Sequence, residues 1–193
     1  MIDVLGAAVG LALTSPIVAG AAAAVRLTMG RPVLFRQVRL GQHGGTFTVL
    51  KFRTMTNAKD ELGELRPDRE RLTRSGRLIR SLGVDELPQL WNVLRGEMSL
   101  VGPRPLLPQY LPLYTAEQAR RHSVLPGITG WAQVNGRNLL AWEDRFVLDV
   151  WYVEHWSLGL DVRILFRTVG SVLARTGVSH HGHPTMPNFE GQR

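Results

Sequence analysis

Apolar and polar positions divide the chain into an uncharged start and a mixed remainder. From Val4 to Val25 there are 22 residues without a charge. As a helix, that run measures about 33 Å, close to the thickness of a bilayer's hydrocarbon layer. Three readings fit it. Ala19-Gly20-Ala21 resembles a signal-peptidase site, although Asp3 rather than a basic residue precedes the run. The run could also be a straight transmembrane helix, but eight Ala and three Gly among its 22 residues make it only weakly lipophilic. The third reading rests on Ser15-Pro16 in its middle. Proline removes a backbone hydrogen bond, and a serine beside it can bond a freed carbonyl. Helix, break and helix could then enter the membrane and return to the same face.

After this segment the pattern shortens. Val33–Val38 and Thr46–Phe52 read as strands around a Gly41–Gly45 turn. Residues 57–68 form a polar connection. Arg69–Leu82 reads as an amphipathic helix with a basic face, and Pro88–Leu94 as a short helix. Two further helices are expected at Leu140–Glu154 and Asp161–Arg175, followed by an irregular tail from Gly177. The expected class is mostly α with a small β element (α+β). Residues 1–28 would be a re-entrant membrane anchor and 29–193 one catalytic domain, with no linker or repeat dividing them.

Charge adds a partner class. The 193 residues carry 23 basic and 16 acidic side chains, a net charge of +7, and only Lys51 and Lys59 of the basic residues are lysine. Such a chain meets nucleic acid, membrane phosphate or a phosphorylated substrate. The absence of cysteine excludes disulfides, a thiol nucleophile and thiolate metal sites. His180, His181 and His183 read as part of a solvated tail, because no further ligand type stands near them. The tryptophans and tyrosines suit core packing and, in part, a membrane interface.

Asp85-Glu86-Leu87-Pro88 carries the candidate chemistry. Pro88 suits a first helical turn and disfavours helical geometry at Leu87, leaving the two acids in a loop before a helix. Read alone, they are helix-capping acids. The arginines around them (Arg74, Arg77 and Arg80 before, Arg95 and Arg104 after) change that reading. Arg104 lies between two prolines, so its backbone is rigid, and a guanidinium forks onto phosphate oxygens. Neighbouring carboxylates among fixed arginines suit Mg²⁺-assisted phosphoryl transfer, one serving as nucleophile or metal ligand and the other orienting groups or handling protons. Lys51, Arg53 and Arg137 are further phosphate-binding candidates. A membrane anchor beside a phosphate site points to a lipid phosphate.

Four stretches carry a family resemblance: Lys51-Phe52-Arg53-Thr54-Met55; Asp85-Glu86-Leu87-Pro88-Gln89-Leu90-Trp91-Asn92-Val93-Leu94; Met98-Ser99-Leu100-Val101-Gly102-Pro103-Arg104-Pro105-Leu106; and the run from Pro126 to Asn138. The chain resembles the bacterial sugar transferases, the monotopic phosphoglycosyl transferases, in their small PglC-like form. That resemblance implies transfer of a phosphosugar from a UDP-sugar to undecaprenyl phosphate, with release of UMP. It implies Asp85 as the nucleophile and Mg²⁺ contact, and Glu86 as its partner in proton handling or positioning. Lys51, Arg80, Arg104 and Arg137 match positions at the site or its phosphates, and Asp149 and Asp161 match acidic positions. Ser15-Pro16 matches the break of a re-entrant helix, at the cytoplasmic face of the bacterial inner membrane. The tail residues Gly177-Val178-Ser179, Gly182-His183 and Phe189 resemble enzymes acting on N-acetylated UDP-sugars. A non-catalytic, membrane-anchored basic lipid-binding module is the alternative, and a nucleotide-sugar hydrolase a second enzymatic one. The positive charge then splits. Arg26, Arg31, Arg36 and Arg39 would form a collar at the membrane face, and the other cations a phosphate site, which leaves nucleic acid out as a partner.

Overall fold

The computed structural model describes residues 2–136, 140–173 and 188–191. Its first element, α1, is a single helix over Ile2–Met29 with Pro16 inside it. The expected interruption at Ser15-Pro16 is absent from the helix. Pro16 cannot donate to the carbonyl four residues back, that of Ala12, and the Ser15 hydroxyl takes its place at 2.8 Å. The serine thus satisfies the freed acceptor without the helix ending.

One side of α1 rests on the remainder of the chain. Ala7 and Leu11 pack with Val49, Leu90, Val93 and Met98. Further along, Ala21 and Val25 pack with Phe52 and Ile79. The opposite side, carrying Ile2, Leu5, Val9, Leu13 and Ile17, is exposed. Ala7 and Ala21 let the helix approach the body closely, beside Leu11 and Val25, while the outward side is made of large apolar residues.

An antiparallel hairpin follows, β1 (Leu34–Leu40) and β2 (Thr46–Phe52), with Phe35 opposite Lys51 and Arg39 opposite Phe47. The expected helix over Arg69–Leu82 is two pieces, α2 (Asp68–Arg71) and α3 (Arg74–Ser81). Thr73 divides them because its side chain accepts from Gly76 N and caps α3. Next come α4 (Gln89–Leu94), β3 (Ser99–Val101), α5 (Ala116–Ala119), β4 (Gly127–Thr129) and α6 (Trp131–Val134). Two longer helices follow, α7 (Trp142–Glu154) and α8 (Leu158–Leu173).

The mostly helical α+β class is therefore as expected, with one addition. β3 and β4 form a parallel pair joining Ser99 to Gly127 and Val101 to Thr129. At Gly127 a Cβ would stand 2.0 Å from Gly102 N, so the two chain segments meet backbone against backbone. This contact fixes the root of the Gly102-Pro103-Arg104-Pro105 stretch. Beyond it, Leu106, Tyr110, Phe146 and Phe189 form one core cluster, and Val101, Tyr152 and Ile164 another.

Candidate active site

Strand alternation builds the first wall of a cavity of about 820 Å³. Phe35, Gln37 and Arg39 of β1, and Val49 and Lys51 of β2, all face it. The second wall is a turn. After α3 the chain reverses at Gly83, whose φ of 65° is left-handed and suits glycine. The reversal presents Val84–Glu86 as one 3₁₀ turn. Leu87 then adopts helical geometry (φ −55°, ψ −35°) rather than the extended form expected before a proline. Its N–H donates to Val84 O, and its carbonyl accepts from Leu90 N, so the turn runs directly into α4. Asp85 and Glu86 thus stand on a helical turn, not in a loop. The third wall is the Pro-Arg-Pro stretch, which brings in Arg104.

The two acids have different surroundings. One oxygen of Glu86, Oε1, accepts from Lys51 Nζ and from Arg104 Nη2, each at 2.7 Å. Burial alone would raise its pKa, but Arg104 and Lys51 outweigh burial and hold the carboxyl well below the usual carboxylate range. Glu86 in turn raises the pKa of Arg104. Lys51 is lowered because burial outweighs its attraction to Glu86. Asp85 is only 8% exposed and forms no ion pair among the described residues. Burial first, and then the Glu86 charge, push its pKa up to about 6 against the pull of Lys51, Arg80 and Arg104.

Arg80 lines the same cavity, and its Nη1 is shielded from water with no partner among the described residues. Lys51, Arg80, Asp85, Glu86 and Arg104 are therefore brought together as the sequence suggested. Arg53 touches the cavity, but its guanidinium donates to the carbonyls of Met29, Gly30 and Arg31. It caps the C-terminal end of α1 rather than standing ready for a phosphate. Asp149 is 1% exposed and paired with Arg121, whose Nη2 lies 2.7 Å from Asp149 Oδ2. Asp149, which the family resemblance marks only as an acidic position, stands here as a buried support. Asp161 lies on α8, away from the cavity lining, and accepts from Tyr152 OH at 2.7 Å and Trp156 Nε1 at 3.1 Å. Arg137, and the histidines and Gly177–Gly182 stretch of the tail, lie outside the described residues.

The cavity also takes in residues that the sequence does not assign to the site, among them Arg39, Arg145 and Trp142. Arg39 was grouped with the membrane collar. Yet it shares its strand face with Phe35 and Gln37, while Arg36 points outward and is exposed. The period-2 alternation of β1 was the signal that separates them. Arg145, four residues before Asp149 on α7, lies with its guanidinium 5.2 Å from the Trp142 ring centroid.

A metal ion has one free carboxylate to meet here. Among the described residues no group of three or more His, Cys, Asp or Glu side chains gathers. Glu86 is taken by two cations, and Asp85 is not. Mg²⁺ suits one carboxylate plus substrate phosphates and water, so the residues present fit that mode and not an all-protein cage.

Comparison with known proteins identifies the family. Residues 1–175 match the family model described as bacterial sugar transferase. The chain is 57% identical over 191 residues to an uncharacterized sugar transferase, EpsL, of Bacillus subtilis, covering 99% of this chain and 95% of the relative. It is 42% identical over 183 residues to the UDP-glucose:undecaprenyl-phosphate glucose-1-phosphate transferase of Caulobacter vibrioides, covering 90% of this chain and 68% of that protein. A third relative is the UDP-N-acetylgalactosamine-undecaprenyl-phosphate N-acetylgalactosaminephosphotransferase of Aeromonas hydrophila, 39% identical over 183 residues. That match covers 91% of this chain but only 43% of the longer protein. The family match spans residues 1–175 of the 193, and the chain belongs to the bacterial sugar transferase family.

Proposed function

We propose that the protein transfers a phosphosugar from a UDP-sugar to undecaprenyl phosphate at the cytoplasmic face of the bacterial inner membrane. The observation that carries this reading is the contrast within the acidic pair. Glu86 is an anion locked by Lys51 and Arg104, and Asp85 beside it is buried without an ion-pair partner among the described residues. A carboxylate freed from cations is the better nucleophile, and one clamped by them is the better scaffold.

The reaction has two displacements. An oxygen of Asp85 attacks the sugar-bearing phosphorus of the UDP-sugar, and the bond to the nucleoside phosphate breaks, releasing UMP. An oxygen of undecaprenyl phosphate then attacks the same phosphorus. The aspartyl–phosphorus bond breaks, Asp85 is regenerated, and undecaprenyl diphosphate sugar leaves. Neither attacking group carries a proton that must be removed, since the carboxylate and the lipid phosphate are both anions. Glu86 therefore acts by positioning Lys51 and Arg104 rather than as a base. Mg²⁺ held by Asp85 would supply neutralisation of phosphate charge.

Exposed apolar surface supports placement at a membrane. One side of α1 presents large apolar residues, and α8 exposes Leu158, Val162, Phe166 and Val169 at helical spacing. Both ends of α1 are fastened to the same body, which favours a helix held with both ends at one face of the membrane over one that crosses. For the donor we propose an N-acetylated UDP-sugar, on the likeness of the tail stretch Gly177–His183. The relatives are named for glucose and for N-acetylgalactosamine alike.

The test is a panel of UDP-sugars with undecaprenyl phosphate and Mg²⁺, read as UMP release. Wild type should turn over at least one donor repeatedly only when the lipid is present. Asp85→Asn should release no UMP. Full release by that variant would remove Asp85 as nucleophile, and repeated turnover without lipid would indicate a hydrolase.

A further inference from the structure

Arg39 lies at the cavity wall. It faces the same space as Lys51, Asp85 and Arg104. Among the described residues it pairs with no carboxylate, and its one hydrogen bond runs from Nη2 to Gln37 Oε1 at 2.6 Å. Its place is fixed, because the next residue, Leu40, donates its N–H to Leu106 O at 2.9 Å and ties the end of β1 to the Pro-Arg-Pro stretch. Burial and the neighbouring Arg104 charge lower its pKa to about 10, so it remains charged at neutral pH in surroundings that disfavour the charge. A half-buried cation beside a second cation is relieved by an anion.

The order of the cations indicates which anion. On the cavity face of the hairpin Lys51 stands opposite Phe35, and Arg39 lies four residues further along β1, opposite Phe47. Lys51 and Arg104 meet at Glu86, beside Asp85, while the Leu40–Leu106 hydrogen bond sets the Arg39 end of β1 against the Pro-Arg-Pro stretch. Arg39 therefore stands farther along the wall from the nucleophile than Lys51, on the side of Arg104. A diphosphate whose sugar-bearing phosphorus meets Asp85 would carry its second phosphate outward, past Arg104. We infer that Arg39 is a substrate-binding residue that holds the nucleoside phosphate of the UDP-sugar, the phosphate that departs as UMP. The inference rests on the proposed transfer reaction. The competing source of the same chemistry is the phosphate of the lipid acceptor.

The test uses the full chain in membranes, with Arg39→Gln, Arg39→Lys and, as control, Arg36→Gln on the exposed face of the same strand. Three quantities are read: exchange of labelled UMP into UDP-sugar without lipid, the inhibition constant of UMP, and the KM for each substrate. Arg39→Gln should weaken UMP and raise the KM for UDP-sugar roughly ten- to hundredfold. The KM for undecaprenyl phosphate should stay within about twofold, because that contact is a different one. Arg39→Lys keeps the charge but loses the fork, so it should fall between Arg39→Gln and wild type. Arg36→Gln should match wild type. A rise confined to the lipid KM would overturn the assignment in favour of the acceptor phosphate, and unchanged constants would overturn it altogether. If wild type itself neither binds nor exchanges UMP, the transfer reading fails and takes this inference with it. Failure in the Arg39 variants alone leaves the transfer reading standing.

Discussion

Arg121 donates from Nη2 to the backbone carbonyl of Arg104 at 2.7 Å. The same guanidinium grips Asp149 Oδ2 through Nε at 3.1 Å and Nη2 at 2.7 Å, with both side chains 1% exposed. A chain of contacts therefore runs from Asp149 on α7, through Arg121, to the main chain of the residue whose side chain holds Glu86. Asp149→Asn would leave Arg121 buried and uncompensated, at a cost of about 3–5 kcal/mol. The double variant Arg121→Met/Asp149→Leu removes both charges and should recover most of that stability. It cannot restore the donor to Arg104 O, so its kcat should stay roughly tenfold or more below wild type. Thermal melting and UMP release, read side by side, check this. Full recovery of kcat would make the pair a matter of stability alone.

Much of the site was legible because its residues are local or rigidly framed. Asp85 and Glu86 are adjacent, Arg104 is fixed between prolines, Lys51 stands at a strand end, and Arg80 belongs to the run of arginines just before the acidic pair. The support behind them was not. Arg121 reaches Arg104 and Asp149 across separate elements, and nothing in the spacing of 104, 121 and 149 announces that contact. The strands β3 and β4 are three residues each, too short for a pattern. Arg53 was misread because a basic residue at a strand end looks the same whether it caps a helix or awaits a phosphate. At Ser15-Pro16 the local chemistry was read correctly, since Ser15 does take the freed carbonyl. The expected consequence was not, because that bond lets the helix continue.

Glu86→Gln separates positioning from charge. The amide keeps an acceptor oxygen but removes the anion that balances Lys51 and Arg104. Lys51 is already lowered by burial against the pull of Glu86, so losing Glu86 lowers it further. The variant should lose about two orders of magnitude in kcat, the usual weight of one electrostatic contact in a dry site. It should still form the Asp85 adduct slowly, visible as a mass increase on incubation with UDP-sugar. Glu86→Gln with no adduct after prolonged incubation would make Glu86 a participant in bond making.

Acid sensitivity should arise at His122. Its Nδ1 lies 3.2 Å from Gly41 O and donates to it, while Nε2 is buried with no partner among the described residues. Burial first, and then the Arg121 charge, lower its pKa from 6.5 to about 4. The unfolded chain therefore binds a proton between these values that the folded chain refuses. The stability from neutral His122 is complete above pH 6.5 and is lost as the pH falls toward 4, up to about 3 kcal/mol in all. His122→Asn offers an amide N–H near the Nδ1 position and does not titrate. Denaturant midpoints from pH 7 to pH 4.5 should fall steeply for wild type and distinctly less for the variant. Equal slopes would assign the acid sensitivity to other groups.

The two ends of α1 are both tied to the catalytic body, which makes the topology testable. Asp3 Oδ1 accepts from Ser99 Oγ at 3.0 Å and from Leu100 N at 3.1 Å. At the other end, the Thr28 and Ser75 hydroxyls are 3.0 Å apart, and Arg53 caps the last turn. A straight crossing would carry Asp3 to the far side of the bilayer and force β3 to follow it or let go. Holding both contacts requires both ends to stand on one side, with the exposed stripe of Leu5, Val9, Leu13 and Ile17 immersed between them. The chain has no cysteine, so single substitutions report cleanly. Ile2→Cys and Arg31→Cys should resist an impermeant maleimide in intact spheroplasts, and both should react in inside-out vesicles. Labelling of Ile2→Cys from outside, with Arg31→Cys protected, would establish a spanning helix and require the Asp3–Ser99 contact to open in the membrane.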